Sequence, residues 1–254
     1  MSYMRKTLTS LPIIISTLVI LVGCDEQTQQ QQQPSTITQQ TASQTPTSQW
    51  PGTFDETVVS NLTQTNIMVV YDASGSMAER ACGSSRSKQK EAVPAMERFT
   101  NAVPADANLG LYVFNGPKTG LKLQLGTNNR EQFQSVIEHI TPDGGTPLLS
   151  AMKIGYDELT KQAKRQLGYG RYILLVVTDG EANAGEEPDR LIDKIVENTP
   201  IEIHAVGVCM SEQKSLRQEG RTWYTPATDP QKLVNGLQSV LAEVQNADPK
   251  DFKY

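Results

Sequence analysis

Residues 67–77 read Ile-Met-Val-Val-Tyr-Asp-Ala-Ser-Gly-Ser-Met, and their pattern indicates the fold class. Its first five residues are apolar without polar alternation, which is typical of a strand covered by helices on both faces. The polar residues begin where this strand ends. In open α/β sheets, ligands bind beyond the carboxyl ends of the strands. The stretch therefore predicts a buried parallel strand with a binding site at its end.

Further apolar strands alternate with amphipathic helices along the rest of the chain. The predicted strands are Ile67–Tyr71, Leu109–Phe114, Leu121–Leu125, Tyr172–Val177, Ile201–Val208 and a weaker one at Trp223–Thr225. The predicted helices are Lys88–Ala102, Arg130–Ile140, Leu148–Gln166, Pro188–Asn198 and Pro230–Val244. Only a short segment joins the second and third strands, which predicts an antiparallel hairpin at a sheet edge. The pattern predicts an α/β fold with a doubly wound, mostly parallel sheet.

Three predicted loops carry side chains with oxygen donors, and their positions after strands and before a helix allow all three to line one metal site. The donors are Asp72, Ser74 and Ser76 after the first strand, Thr146 before a helix, and Asp179 after the fourth strand. Carboxylates and hydroxyls are hard ligands, and a set with few carboxylates leaves positions for water or a partner group. This favours Mg²⁺ over a calcium cage. Each loop alone is also explained as a turn with helix-capping side chains, but the three together favour a metal site.

These loops resemble the metal-ion-dependent adhesion site of von Willebrand factor type A domains, and residues 66 to about 245 resemble the domain itself. The matching residues are Asp72, Ser74 and Ser76 of an Asp-x-Ser-x-Ser motif, Thr146 and Asp179. The resemblance implies that they bind Mg²⁺ or Mn²⁺ and that an acidic side chain of a partner protein completes the coordination. It also implies six strands in the order 3-2-1-4-5-6 with the third antiparallel, in agreement with the predicted hairpin.

The N-terminal segment predicts a lipoprotein signal peptide over residues 1–23. Two basic residues precede an apolar run from Leu11 to Val22, which is too short to span a bilayer stably. The residues Leu-Val-Gly-Cys at 21–24 resemble the lipobox of bacterial lipoproteins, which implies that Cys24 carries lipid and becomes the mature N-terminus. The alternative is an uncleaved N-terminal anchor.

Lipidation of Cys24 predicts a protein anchored in the bacterial cell envelope, on the extracytoplasmic side of a membrane. Asp25 follows the cysteine and resembles the enterobacterial signal for retention in the inner membrane, where the domain would face the periplasm. Residues 24–51 comprise the lipidated cysteine and a stretch rich in Gln, Thr, Ser and Pro, which predicts a disordered tether. The predicted von Willebrand factor type A domain covers 60–247, and 248–254 form a C-terminal tail.

The charge of the chain argues against a nucleic-acid partner. The 254 residues carry a formal net charge of -5, without a long basic run. Loss of residues 1–23 removes Arg5 and Lys6 and no acidic residue, which makes the charge -7.

Two cysteines remain once Cys24 is assigned to lipid. Cys82 follows the first donor loop and Cys209 ends the fifth predicted strand, so both are expected at the same rim of the sheet. An oxidising compartment makes a disulfide between them one interpretation. Two separate small apolar residues are the other.

The sequence favours a non-catalytic domain that binds a partner protein through the metal, in an adhesion or envelope-assembly role. One alternative is a metal-dependent hydrolase, since a metal with open positions can activate water. Phosphatases also begin with an aspartate at a strand end, but here serines follow Asp72 in place of a second aspartate two positions on. The chain also contains no Gly-x-Ser-x-Gly elbow of the kind that carries a nucleophilic serine. Another alternative is a regulatory subunit of an ATPase complex, because similar domains serve such complexes in the cytosol.

Overall fold

The computed structural model describes residues 50–53, 57–211 and 215–246. The predicted signal peptide, Cys24, the predicted tether up to residue 49 and the predicted tail at 248–254 lie outside the described residues. Within the described part of the chain, no helix combines the length and apolar character needed to cross a bilayer.

A mixed sheet of six strands forms the centre of the described domain, in the order β3-β2-β1-β4-β5-β6. The strands are β1 (Thr65–Asp72), β2 (Asn108–Phe114), β3 (Gly120–Gly126), β4 (Arg171–Thr178), β5 (Glu202–Val208) and β6 (Trp223–Ala227). Neighbouring strands pair in parallel, except for the antiparallel hairpin of β2 and β3. The predicted strand order and edge hairpin are therefore confirmed.

Helices connect the strands and cover both faces of the sheet. The α-helices are α1 (Lys88–Ala102), α2 (Arg130–Glu138), α3 (Leu148–Arg165), α4 (Asp189–Asn198) and α5 (Pro230–Asn246). Their bounds lie close to the predicted ones. Two short 3₁₀ helices, Gly75–Ala78 and Gly116–Lys118, were not predicted, because so few residues cannot show a hydrophobic period.

The side chains of β1 explain why its sequence is continuously apolar. Ile67, Val69 and Tyr71 belong to a core formed with α1, α2 and α5, whereas Met68 and Val70 belong to a second core formed with α3 and α4. All five side chains are fully buried. Burial of each contributes roughly 1.5–3 kcal/mol, so both faces of the central strand stabilise the fold.

A buried amide network joins the elements at the amino end of the sheet. The side-chain amide of Asn66 donates to Oε1 of Gln166 at 2.7 Å, and that of Asn108 donates to Oδ1 of Asn66 at 2.9 Å. Gln166 in turn donates to the carbonyl of Gln64 at 3.0 Å. Since buried polar groups are stable only when paired, the network fixes the starts of β1 and β2 against the end of α3.

The segment before β1 docks at the same end of the sheet. The ring of Trp50 packs edge-on against Tyr172, with centroids 5.1 Å apart, and its Nε1 donates to Oγ1 of Thr160 at 3.1 Å. The N–H of Val59 donates to the carbonyl of Arg165 at 3.0 Å. The chain therefore contacts the domain at Trp50 and at Val59, before the predicted domain start at residue 60.

Candidate metal centre

The three predicted donor loops meet at the carboxyl end of the sheet. β1 and β4 are neighbours with Tyr71 opposite Val177, so the residues that follow the two strands lie side by side. The loop before α3 joins them, because the N–H of Gly75 donates to the carbonyl of Gly144 at 2.9 Å. Gly144 has a φ of +76°, and a Cβ there would lie 2.7 Å from Cα of Gly116. Only glycine fits this approach of the backbones.

Asp72 is a fully buried carboxylate at the end of β1. Its Oδ1 accepts a hydrogen bond from the N–H of Ser74 at 2.8 Å, and its Oδ2 accepts one from the hydroxyl of Thr178 at 2.5 Å. Burial raises the pKa of Asp72 to about 6; the charge of Asp179 adds to the increase, and the hydrogen bonds oppose it. A cation beside Asp72 would stabilise its charged form.

The serine hydroxyls connect the first loop to Asp179. The Oγ atoms of Ser74 and Ser76 share a hydrogen bond of 3.0 Å, and the hydroxyl of Ser76 donates to Oδ1 of Asp179 at 2.8 Å. Thr146 approaches from the second loop: a Cβ on Gly180 would lie 3.5 Å from Oγ1 of Thr146 and 3.8 Å from Oγ of Ser76. The structure thus brings together all five residues that the sequence predicted for the metal.

Asn183 holds the second and third loops together. Its Oδ1 accepts a hydrogen bond from the N–H of Thr146, and its own N–H donates to the carbonyl of Thr146, both at 3.0 Å. A Cβ on Gly145 would lie 2.8 Å from the Asn183 amide, so the two loops are in close contact. This pair of hydrogen bonds fixes the backbone of Thr146 and so positions its hydroxyl.

Lys88 is a further residue that sequence reasoning missed. Its Nζ donates to Oδ2 of Asp179 at 2.9 Å and to Oε2 of Glu79 at 3.1 Å. Burial would lower the pKa of Lys88, but the two carboxylates outweigh it and the net shift is upward. The ammonium group is therefore firmly charged and lies directly against a predicted metal ligand.

The chemistry of the donors fits a hard divalent cation. The five predicted ligands supply two carboxylates and three hydroxyls, which are oxygen donors only. Within the described ranges, no group of three or more His, Cys, Asp or Glu side chains is arranged to hold a metal, either at this site or at another. A cation at this site would thus depend on hydroxyl ligands as well as on carboxylates.

A disulfide lies beside the site. Cys82 and Cys209 are bonded, with Cα atoms 5.4 Å apart, across 127 residues of sequence. Cys82 belongs to the loop at 79–87, which connects the first donor loop to α1, and Cys209 follows β5. Of the two interpretations of these cysteines, the structure contains the bonded one, which ties this loop to the carboxyl end of β5.

Comparison with known proteins places most of the domain in one family. Residues 66–234 match the family model of the von Willebrand factor type A domain. The uncharacterized protein YwmD of Bacillus subtilis (strain 168) is 27% identical over 144 residues, which cover 52% of this chain and 62% of YwmD. The match thus spans less than two thirds of the length of that curated relative.

Solved structures share the fold at low sequence identity. An aerotolerance-related membrane protein from Bacteroides fragilis NCTC 9343 superposes with a TM-score of 0.54 at 15% identity, over 72% of this chain and 99% of that one. The manganese-loaded TRAP protein of Plasmodium vivax gives a TM-score of 0.52 at 18% identity, over 69% of this chain and 72% of that one. At these identities the likeness shows the fold alone.

Proposed function

Because this chain belongs to the von Willebrand factor type A domain family, we propose that it binds a partner protein through a divalent cation at the carboxyl end of its sheet. In this proposal Mg²⁺ or Mn²⁺ is held by the side chains of Asp72, Ser74, Ser76, Thr146 and Asp179. When bound, the metal supplies a positive charge with open coordination positions for an acidic side chain of the partner.

One observation carries the proposal. Asp72 ends β1 and Asp179 follows β4, yet both lie in one hydrogen-bonded cluster with the hydroxyls of Ser74 and Ser76. Two buried carboxylates this close repel each other, and the single positive charge of Lys88 beside Asp179 offsets only part of this repulsion. The hydroxyls add donors without adding negative charge. The two carboxylates alone would balance a divalent metal, but Lys88 already offsets part of the charge of Asp179. A bound metal would therefore stay only partly neutralised and would attract a carboxylate of a partner.

We also propose that the domain is displayed from a membrane by a lipid on Cys24, on the extracytoplasmic side of the bacterial envelope. The support is the lipobox-like sequence at residues 21–24. Acylation adds about 0.8 kcal/mol per buried CH₂, and several chains make anchoring stable. Cys24→Ser should abolish lipid labelling and globomycin-sensitive processing, so that residues 1–23 stay attached. Unchanged processing would contradict the lipid anchor.

The metal site is tested by calorimetric titration of Mg²⁺ into the full-length protein in detergent. The wild type is expected to bind, and Asp72→Ala is expected to lose binding. Asp106→Ala is the matched control, because Asp106 is exposed in the connection before β2, at the other end of the sheet. Absence of Mg²⁺ and Mn²⁺ binding by the wild type would refute the proposed site.

The partner-binding role is tested by capture from envelope extracts. Wild type should retain a set of proteins that EDTA releases and that Asp72→Ala does not retain. We also propose that the domain is not an enzyme. Metal-dependent turnover of a phosphoester by the wild type, lost in Asp179→Ala, would instead support a hydrolase.

A further inference from the structure

Lys88 stands at an unfavourable position for a lysine. It is the first residue of α1, where the partial positive charge of the helix N-terminus disfavours a cation by a few tenths of a kcal/mol or more. The side chain is nonetheless 13% exposed and directed to two carboxylates, Asp179 and Glu79. Its placement is explained by these contacts and not by the helix.

The more important contact is with Asp179, whose side chain is fully buried. One oxygen of this carboxylate, Oδ1, accepts from the hydroxyl of Ser76, and the other, Oδ2, accepts from Lys88 at 2.9 Å. Both oxygens of a proposed metal ligand are thus engaged, one of them by a fixed positive charge. A divalent cation at this site would share Asp179 with the ammonium group.

Because the ammonium group and the metal would share Asp179, Lys88 changes the net charge of the metal-loaded site. Asp72, Asp179 and Lys88 together leave one net negative charge among the buried groups, and a divalent cation would turn it into one net positive charge. Without Lys88, the two carboxylates would neutralise the cation completely. Low local dielectric strengthens both effects, because the charges are screened less than in water.

We infer that Lys88 is a built-in counter-ion that weakens the binding of the divalent cation and keeps the loaded site positively charged, which favours an acidic ligand. This inference rests on the proposed function. Glu79 makes the arrangement workable: its exposed carboxylate already lies 3.1 Å from Nζ of Lys88, so the ammonium group keeps a partner when the metal engages Asp179.

The test compares full-length wild type with Lys88→Met, which keeps the aliphatic stem and removes the charge. Calorimetric titration is expected to show Mg²⁺ binding tighter on the order of tenfold, equivalent to about 1.4 kcal/mol. Acetate, added to the Mg²⁺-loaded proteins and followed by NMR, is expected to bind the variant several-fold more weakly. Lys90→Met is the control, because Lys90 is an exposed lysine in the same turn of α1 and should change neither affinity.

A second variant, Lys88→Gln, guards against loss of folding, since its amide can still donate a hydrogen bond without a charge. It is expected to shift both affinities in the same direction as Lys88→Met. Unchanged or weaker Mg²⁺ binding in the variants, with binding retained by the wild type, would overturn the inference and leave the proposed function intact. Acetate binding of wild-type strength would also overturn it. Failure of both wild type and variants to bind Mg²⁺ would refute the proposed function, and the inference with it.

Discussion

The hydroxyl of Thr178, the last residue of β4, donates a 2.5 Å hydrogen bond to the buried Oδ2 of Asp72, the last residue of β1. This contact crosses the central strand pair directly beneath the candidate metal centre. The Thr178 hydroxyl is one of the few hydrogen-bond donors to this buried carboxylate. Because a hydrogen bond to a charged group contributes about 1.5–3 kcal/mol to the free energy of unfolding, the contact should stabilise the fold.

We therefore expect Thr178→Val, which is nearly isosteric, to lower the free energy of unfolding by about 1–3 kcal/mol. Urea denaturation at neutral pH without added metal measures the effect. Thr178→Ser keeps the hydroxyl and should retain most of the stability. Equal stability of the valine and serine variants would show that the hydrogen bond does not matter to folding.

Gly144 is the basis of a second prediction, because it combines a positive φ with a close backbone contact to Gly116. Gly144→Ala should destabilise the domain by about 1–3 kcal/mol and weaken Mg²⁺ binding, since the loop that carries Thr146 must shift. Gly220→Ala is the matched control: Gly220 has a φ of +72° but no atom within 4 Å of a built Cβ. If the two variants lose equal stability, the contact with Gly116 contributes nothing.

The dependence of stability on pH should reflect Glu202 at the amino end of β5. Burial would raise its pKa, but hydrogen bonds and charge from His204 and Arg171 outweigh this and lower it to about 2, from an ordinary 4.5. Its stabilising contribution is complete above about pH 4.5 and is lost as the pH falls toward 2. Glu202→Gln should cost about 1.5 kcal/mol or more at pH 7 and little at pH 2.

Thermal unfolding between pH 2 and pH 7 tests this expectation. Glu138→Gln, on the exposed surface of α2, is a suitable control and should run parallel to the wild type. The prediction is wrong if Glu202→Gln also runs parallel to the wild type through the acidic range.

The disulfide gives a fourth prediction. Without reductant, thiol labelling and mass spectrometry of the mature protein should find neither Cys82 nor Cys209 free. Because the bridge closes a loop of 127 residues, Cys209→Ser should lower stability by about 2–5 kcal/mol. Reductant should lower the wild type to the level of the variant. Two labelled thiols in the untreated protein would exclude the bond.

Local sequence was sufficient to predict the strands and the donor residues that the structure brings together at the proposed metal site. The strand at 67–71 is recognisable because both of its faces are buried, and Asp72, Ser74 and Ser76 because they follow that strand at fixed spacing. These are properties of short stretches, which a single sequence displays directly.

The residues that were missed depend on contacts between distant segments. Thr178 supports Asp72 only because β4 pairs with β1 in one particular register. Lys88 reaches Asp179 because the loop at 79–87 folds back, with the N–H of Lys88 donating to the carbonyl of Glu79 at 2.9 Å. Trp50 docks because Tyr172 and Thr160 come together. The spacing of residues along the chain does not predict these tertiary contacts.

The positions of Trp50 and Asp179 at opposite ends of the sheet have a mechanical consequence. A pull between a ligand held at Asp179 and the segment entering at Trp50 would run along the strands. β1 and β4 each lie between two hydrogen-bonded neighbours, so the force would load many backbone hydrogen bonds in shear at once. Bonds loaded together resist more tension than bonds that peel apart singly. With the proposed anchor and ligand at these two ends, tension on the domain would run along its strands.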